Sequence, residues 1–296
     1  MMGEEKKELD CDTLEELFKL WQAKQVEEVN ILSNEICESS EKMCTSEIFI
    51  KEHYKKKSNT ISSHFVQFFN KGNCQNCSRN KGVLSGEDTP WEYVLKNAFN
   101  MDGCVGTFDV GNGFEYIFLL KEANDSKKTC IENYPKFELN PQNVNKWLQD
   151  WLAPGNENKA KMLTKIEDAL KKYLELEQEN YNFTQKAAYM NVNKRGGTFT
   201  TAGYDESAVI HYAEHYKGYI LKEIQLLAKQ REKVTVFVCG GKGYFEKLME
   251  ALFDIKGNGL KKYEIPFDQT KAVFINVPHP SGRVSVEKLV KRMKGI

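Results

Sequence analysis

Leu14, Leu17, Phe18 and Trp21 recur at helical spacing near the start of the chain. The pattern predicts helical structure across residues 11–57, closed by the polar stretch Lys55-Lys56-Lys57-Ser58-Asn59. Phe65, Phe68 and Phe69 follow, then a Cys74-Gln75-Asn76-Cys77 turn and a helix-like Trp91-Glu92-Tyr93-Val94-Leu95. Beyond residue 104 the period changes. Phe114 to Leu120 is aromatic and β-branched behind a Gly111-Asn112-Gly113 turn, which predicts a strand. Asn140-Pro141 opens a helix carrying Val144, Trp147, Leu148 and Trp151, and Pro154-Gly155 stops it. Met162 to Gln178 reads as a second helix, Ala187 to Val192 as a buried strand, and Val209 to Lys229 as one long helix. Val234 to Cys239 and Ala272 to Val277 are further strands. Each precedes a helix, one running through Leu252 and one over Val284 to Met293.

Four strands alternating with helices imply βαβ units and a mainly parallel sheet covered on both faces. The expected fold is therefore α/β, a three-layer α/β/α arrangement on four strands. Residues 1–70 form an N-terminal helical extension and residues 71–296 the α/β domain. Ligands of such sheets bind beyond the carboxyl ends of the strands. That rule singles out Lys121-Glu122-Ala123-Asn124-Asp125, Asn191 to Gly197, Gly240-Gly241-Lys242-Gly243 and Pro278 to Arg283.

Composition narrows the class. The 42 basic and 42 acidic residues cancel, so no global field points to a polyanionic partner, although a local basic face is compatible with that balance. The start, Met1-Met2-Gly3-Glu4-Glu5-Lys6-Lys7, is polar, and no apolar run reaches the roughly 18 residues of a membrane span. A soluble, cytoplasmic, monomeric protein is the expectation. Eight cysteines at irregular spacing suggest reduced thiols with a metal pair among them, not a disulfide framework.

The strand-end segments, in their order along the chain, resemble the uracil-DNA glycosylase superfamily, most closely its iron–sulfur branch. Glu122-Ala123 keeps the core of that branch's G-E-A-P-G motif. Phe137, in Tyr134-Pro135-Lys136-Phe137, stands where the family stacks an aromatic ring on the extruded base. Met190-Asn191-Val192-Asn193-Lys194-Arg195 matches the T-N-V-V-K-C motif, with Asn191 in the position that reads a pyrimidine edge. Val236 to Gly240 matches a V-I-V-A-L-G strand, and His279-Pro280-Ser281 matches the H-P-S loop. The resemblance covers roughly residues 104–296.

It implies a monofunctional DNA glycosylase acting on an extruded nucleotide. Phe137 would stack on the base, and Asn191 would pair with its edge. His279 would stabilise the departing anion, and Glu122 or Asp125 would orient water or stabilise the cationic sugar. Ala123 and Asn124 would line the base pocket. Lys194, Arg195, Ser281 and Arg283 would contact phosphates. Loss of the Pro-Gly after Glu122-Ala123, with Asn124 and Asp125 in its place, suits a bulkier modified pyrimidine better than uracil. Hypermodified bacteriophage bases, whose removal is a defence, belong to that class. The same loss also fits a non-catalytic nucleic-acid-binding module on this fold.

Cys74 and Cys77 match the first half of the family's cluster ligands, but Arg195 replaces the third. With His211 and His215 at i, i+4, the set suits structural zinc better than an iron–sulfur cluster. Ordinary loop cysteines and surface histidines are the competing reading. Gly240-Gly241-Lys242-Gly243 lacks phosphate-loop spacing and reads as a tight turn or a close approach to DNA.

Overall fold

The computed structural model describes residues 9–39, 99, 101–104, 107–124, 161–176, 186–197, 206–256, 259, 261–267, 269–280 and 284–296. The strands are β1 (Tyr116–Asn124), β2 (Ala187–Gly197), β3 (Lys233–Cys239), β4 (Lys262–Phe267) and β5 (Thr270–Val277). The helices are α1 (Leu14–Ser39), α2 (Lys161–Tyr173), α3 (Glu206–His215), α4 (Lys217–Leu227), α5 (Lys242–Phe253) and α6 (Val286–Met293). The protein is α/β, and its sheet runs β2-β1-β3-β5-β4.

The four expected strands are all present and mutually parallel. A fifth, β4, is added antiparallel to β5 at the sheet edge, with Tyr263 opposite Phe274 and Ile265 opposite Ala272. Its Tyr-Glu-Ile-Pro-Phe alternation is a half-buried strand pattern that Pro266 disguises. Proline loses a ladder donor and is tolerated on an edge strand. Lys262 to Phe267 are accordingly only half-covered or exposed.

Alternation along the strands feeds two cores. Ile117, Leu119, Ala188, Met190, Val192, Val236, Val238 and Phe274 share one core with apolar residues of α1, α3, α4 and α5. Phe118, Leu120, Tyr189, Phe237, Val273, Ile275 and Val277 share the other with Ile166 and Leu170 of α2 and with Leu289 and Met293 of α6. The strands are thus apolar on both faces, as parallel strands under helices must be.

The N-terminal helix is no appendage. Leu14, Leu17, Phe18 and Trp21 are buried in the same core as the sheet, and Trp21 stacks on Tyr219 with ring centroids 5.3 Å apart. Its first turn is a capping box: Thr13 Oγ1 accepts from the Glu16 amide at 3.2 Å, and Glu16 accepts from the Thr13 amide at 3.2 Å. Residues 40–57 of the predicted helical stretch, and the Trp147 helix, lie outside the described residues.

Two helix expectations change. The single helix over Val209 to Lys229 is two, α3 and α4, meeting at Tyr216. The helix expected to reach Gln178 ends at Tyr173. Glu175 adopts a left-handed φ of 57°, and the Leu176 amide turns back to the Lys171 carbonyl at 3.0 Å, closing the last turn. Among the described residues no helix is long and apolar enough to cross a membrane.

Candidate functional site

Parallel pairing brings the strand ends to one level. Leu120 lies beside Asn191, Leu119 beside Val238, and Val238 beside Asn276. Lys121, Val192, Gly240 and Pro278 therefore lie at one level, and His279 extends beyond it. The strand-end segments singled out in the sequence thus begin at one sheet edge. The strands run further than expected, however. Glu122, Ala123 and Asn124 belong to β1, not to a loop past it, and Asn191 to Gly197 belong to β2. Continued β1–β2 pairing, through Glu122–Asn193 and a bulge to Asn124–Gly197, carries both strands onward.

Two neighbours shape the surroundings of His279. Lys165 of α2 donates to the Pro280 carbonyl at 2.9 Å, which anchors the loop. Burial first, and the nearby Lys121 charge second, lower the imidazole pKa to about 4. The ring is therefore neutral at physiological pH, with one N–H to donate and one nitrogen to accept.

Lys121 lies with its ammonium 4.8 Å over the centroid of the Tyr244 ring, a cation–π contact. Tyr244 is buried and lies on Gly240. A Cβ at Gly240 would fall 1.9 Å from Tyr244 Cδ1, so any side chain there would displace the ring. Gly241, at φ 89°, then turns the chain into α5. The amides of Gly240 and Gly241 both donate to the Val277 carbonyl, at 3.2 and 3.3 Å. The glycine run is a tight turn packed under an aromatic ring.

The β2 end holds a second constellation. Segment 101–104 runs along the free edge of β2, exchanging hydrogen bonds between Gly103 and Tyr189. Asp102 Oδ2 accepts from the backbone amide and from the side-chain Nδ2 of Asn191, both at 2.8 Å. Lys194 Nζ donates to Asp102 Oδ1 and, at 2.8 Å, to Glu223 Oε1 of α4. The rings of Phe18 and Trp21 lie 5.6 and 5.4 Å from the same ammonium.

Lys194, Asp102 and Glu223 are fully buried. Burial alone would lower the Lys194 pKa, but Asp102 and Glu223 outweigh it and hold it above the usual lysine range. Burial drives the Glu223 carboxyl well above the usual range; Lys194 opposes this and the Asp102 charge adds to it. These directions favour a charged Lys194 beside a neutral Glu223.

This corrects two expectations. Lys194 is not a phosphate contact, because it has no exposed surface and its donors go to two internal carboxylates. Asn191 does not present a free amide to a base edge. It is 1 % exposed and its Nδ2 is committed to Asp102, leaving Oδ1 as the only side-chain atom without a partner. Asp102 and Glu223 went unread in the sequence. Glu223 had a signal: with Ile220, Ile224 and Leu227 it falls on one apolar helical stripe, where an acid needs a buried partner. Lys194 had one too, since it continues the inward alternation of Ala188, Met190 and Val192. Asp102 had none.

Glu122, Ala123, Asn124 and Arg195 are placed by their backbone alone, on β1 and β2. Asp125, Phe137, Ser281, Arg283, Cys74 and Cys77 lie outside the described residues. His211 is on α3, and the His215 ring packs edge-on against Tyr216 with centroids 4.6 Å apart. Among the described residues no three His, Cys, Asp or Glu side chains converge as metal ligands. No family model matches the chain, and no curated protein matches it either.

Proposed function

We propose that this protein is a monofunctional DNA glycosylase on a three-layer, uracil-DNA-glycosylase-like fold, releasing a damaged or modified pyrimidine and leaving an abasic site. The supporting observation is His279: a neutral imidazole on an anchored loop, at the carboxyl edge of four parallel strands. Hydrolysis breaks the bond between the base nitrogen and the sugar C1′. The electron pair leaves with the base, and water adds to the electron-poor sugar carbon. A neutral His279 donates its N–H to the oxygen on which that charge develops, an interaction stronger in the transition state than before it. Glu122 or Asp125 would accept the proton of the attacking water. Phe137 would supply the stacking face. No cofactor enters this reaction. Loss of the small wall after Ala123 favours a bulkier base than uracil, including the hypermodified bases of bacteriophage DNA.

A second reading, a non-catalytic nucleic-acid-binding module, is favoured by one observation. Asn191 has its amide donor committed to Asp102, whereas bidentate reading of a base edge needs both donor and acceptor. One assay separates the two readings. The protein and His279→Ala are incubated with DNA carrying uracil, hydroxymethylcytosine or glucosylated hydroxymethylcytosine, and abasic sites are measured in single turnover. The glycosylase reading expects release from at least one substrate and a loss of about 10²–10³ in rate on removing His279. Oligonucleotide binding without release from any substrate leaves the second reading standing.

A further inference from the structure

The chain as a whole is electrically neutral, yet α6 is not. Leu289 and Met293 point into the core and Glu287 is taken up by Lys172 of α2 at 2.8 Å. What remains outward is Lys288, Lys291 and Arg292, all exposed and without a carboxylate partner among the described residues. At i, i+3 and i+4 they share one face. The helix starts just beyond the His279 loop, where Ser285 caps it by accepting from the Lys288 amide at 3.3 Å. It runs about 12 Å back along the sheet. At its far end opens a cleft of about 270 Å³ lined by Lys233, Thr235, Lys262, Tyr173, Met293 and Lys294. Lys233 has no carboxylate partner among the described residues, whereas Lys262 is paired with Glu264 at 2.8 Å and Lys294 with Glu175 at 3.0 Å.

We propose that this stripe, from Lys288 through Lys291 and Arg292 to Lys233 and Lys262, binds the phosphate backbone of a single-stranded nucleic acid running from the His279 edge into the cleft. A row of cations leading to a cleft with an aromatic wall is the arrangement that recognises a strand without reading its sequence. The cations neutralise phosphates and Tyr173 meets the face of a base. The cleft suits one unstacked nucleotide, which a duplex does not offer. Base excision is not required for this surface to bind. The proposal shares with the functional reading only the nucleic-acid partner, and it moves the phosphate contacts away from Lys194.

The test is fluorescence anisotropy of a labelled DNA strand of about 15 nucleotides, titrated at several salt concentrations. The proteins are the wild type, Lys288→Gln/Lys291→Gln/Arg292→Gln, Lys233→Gln/Lys262→Gln and His279→Ala. Five contacts predict a slope of log affinity against log salt of about −3.5. The triple variant should flatten the slope by about 2 and the double variant by about 1.4. His279→Ala should leave it unchanged, so loss of catalysis and loss of this surface are read separately. Unchanged slopes in both basic variants overturn the proposal. So does equal competition by an acidic peptide, or by a mononucleotide at the same phosphate concentration, since either would make the partner something other than a strand.

Discussion

Lys194 of β2 and Glu223 of α4 meet in the protein interior with Nζ 2.8 Å from Oε1, beneath the rings of Phe18 and Trp21. The contact ties the carboxyl end of β2 to a helix of one face and is roofed by the N-terminal helix. Asp102 completes it and at the same time fixes Asn191. Residues from four separate parts of the chain therefore set the position of one strand end.

The three members of this cluster should respond differently to neutral substitution. Asp102→Asn and Lys194→Met each leave an uncompensated buried charge and should cost about 3–5 kcal/mol in urea unfolding. Glu223→Gln should cost roughly 1 kcal/mol, because burial already favours the uncharged form there. Because the folded-state pKa of Glu223 is raised, its contribution is fully present below the unfolded carboxylate pKa and declines as pH rises through the folded value. Wild type should lose more stability than Glu223→Gln over that upward range. Equal costs for Glu223→Gln and Asp102→Asn would show that Glu223 is ionised.

His279 titrates low, so it works in the opposite sense. Its folded pKa, about 4, lies below the unfolded value near 6.5. The contribution it makes is present above pH 6.5 or so and is lost as pH falls towards 4. An NMR titration of the His279 ring should find it neutral at pH 5.5, and Lys121→Met should move the midpoint upward. A midpoint above 6 in the wild type contradicts the half-buried position within reach of the Lys121 charge.

Gly240 should not tolerate even a methyl group. Gly240→Ala places Cβ against the ring of Tyr244, which is closed in by its own core. The expected cost is about 1–3 kcal/mol from overpacking. Tyr244→Leu in the same chain should recover part of it, because the contact atoms are removed. Failure of that double variant to recover any stability points to backbone strain instead.

The N-terminal helix should unfold with the sheet and not before it. Trp21 is fully buried against Phe99, Tyr216 and Tyr219, so Trp21→Ala should cost about 3–5 kcal/mol. Far-ultraviolet dichroism and Trp fluorescence should report one coincident transition in wild type. Two separated transitions would make α1 an independent extension.

Apolar runs and turn signals determined that four parallel strands exist and roughly where, because a buried parallel strand must be apolar on both faces. Which side chain meets which core was left to the tertiary structure. The same pattern also determined that Lys121, Gly240 and His279 share one edge, since parallel strands joined by helices all end on the same side. Pattern failed at β4, where Pro266 interrupts a half-buried strand that only the presence of β5 beside it makes stable. It was silent on the partners of the N-terminal helix as well: the stripe of Leu14, Leu17, Phe18 and Trp21 states that something is buried but not against what. The partners of Asn191 and Lys194 were decided by tertiary structure. Asp102 and Glu223 are remote in sequence, and only folding brings two acids to one ammonium in the fully buried interior. There the cost of an unpaired charge, negligible on an open strand end, becomes large enough to fix the geometry.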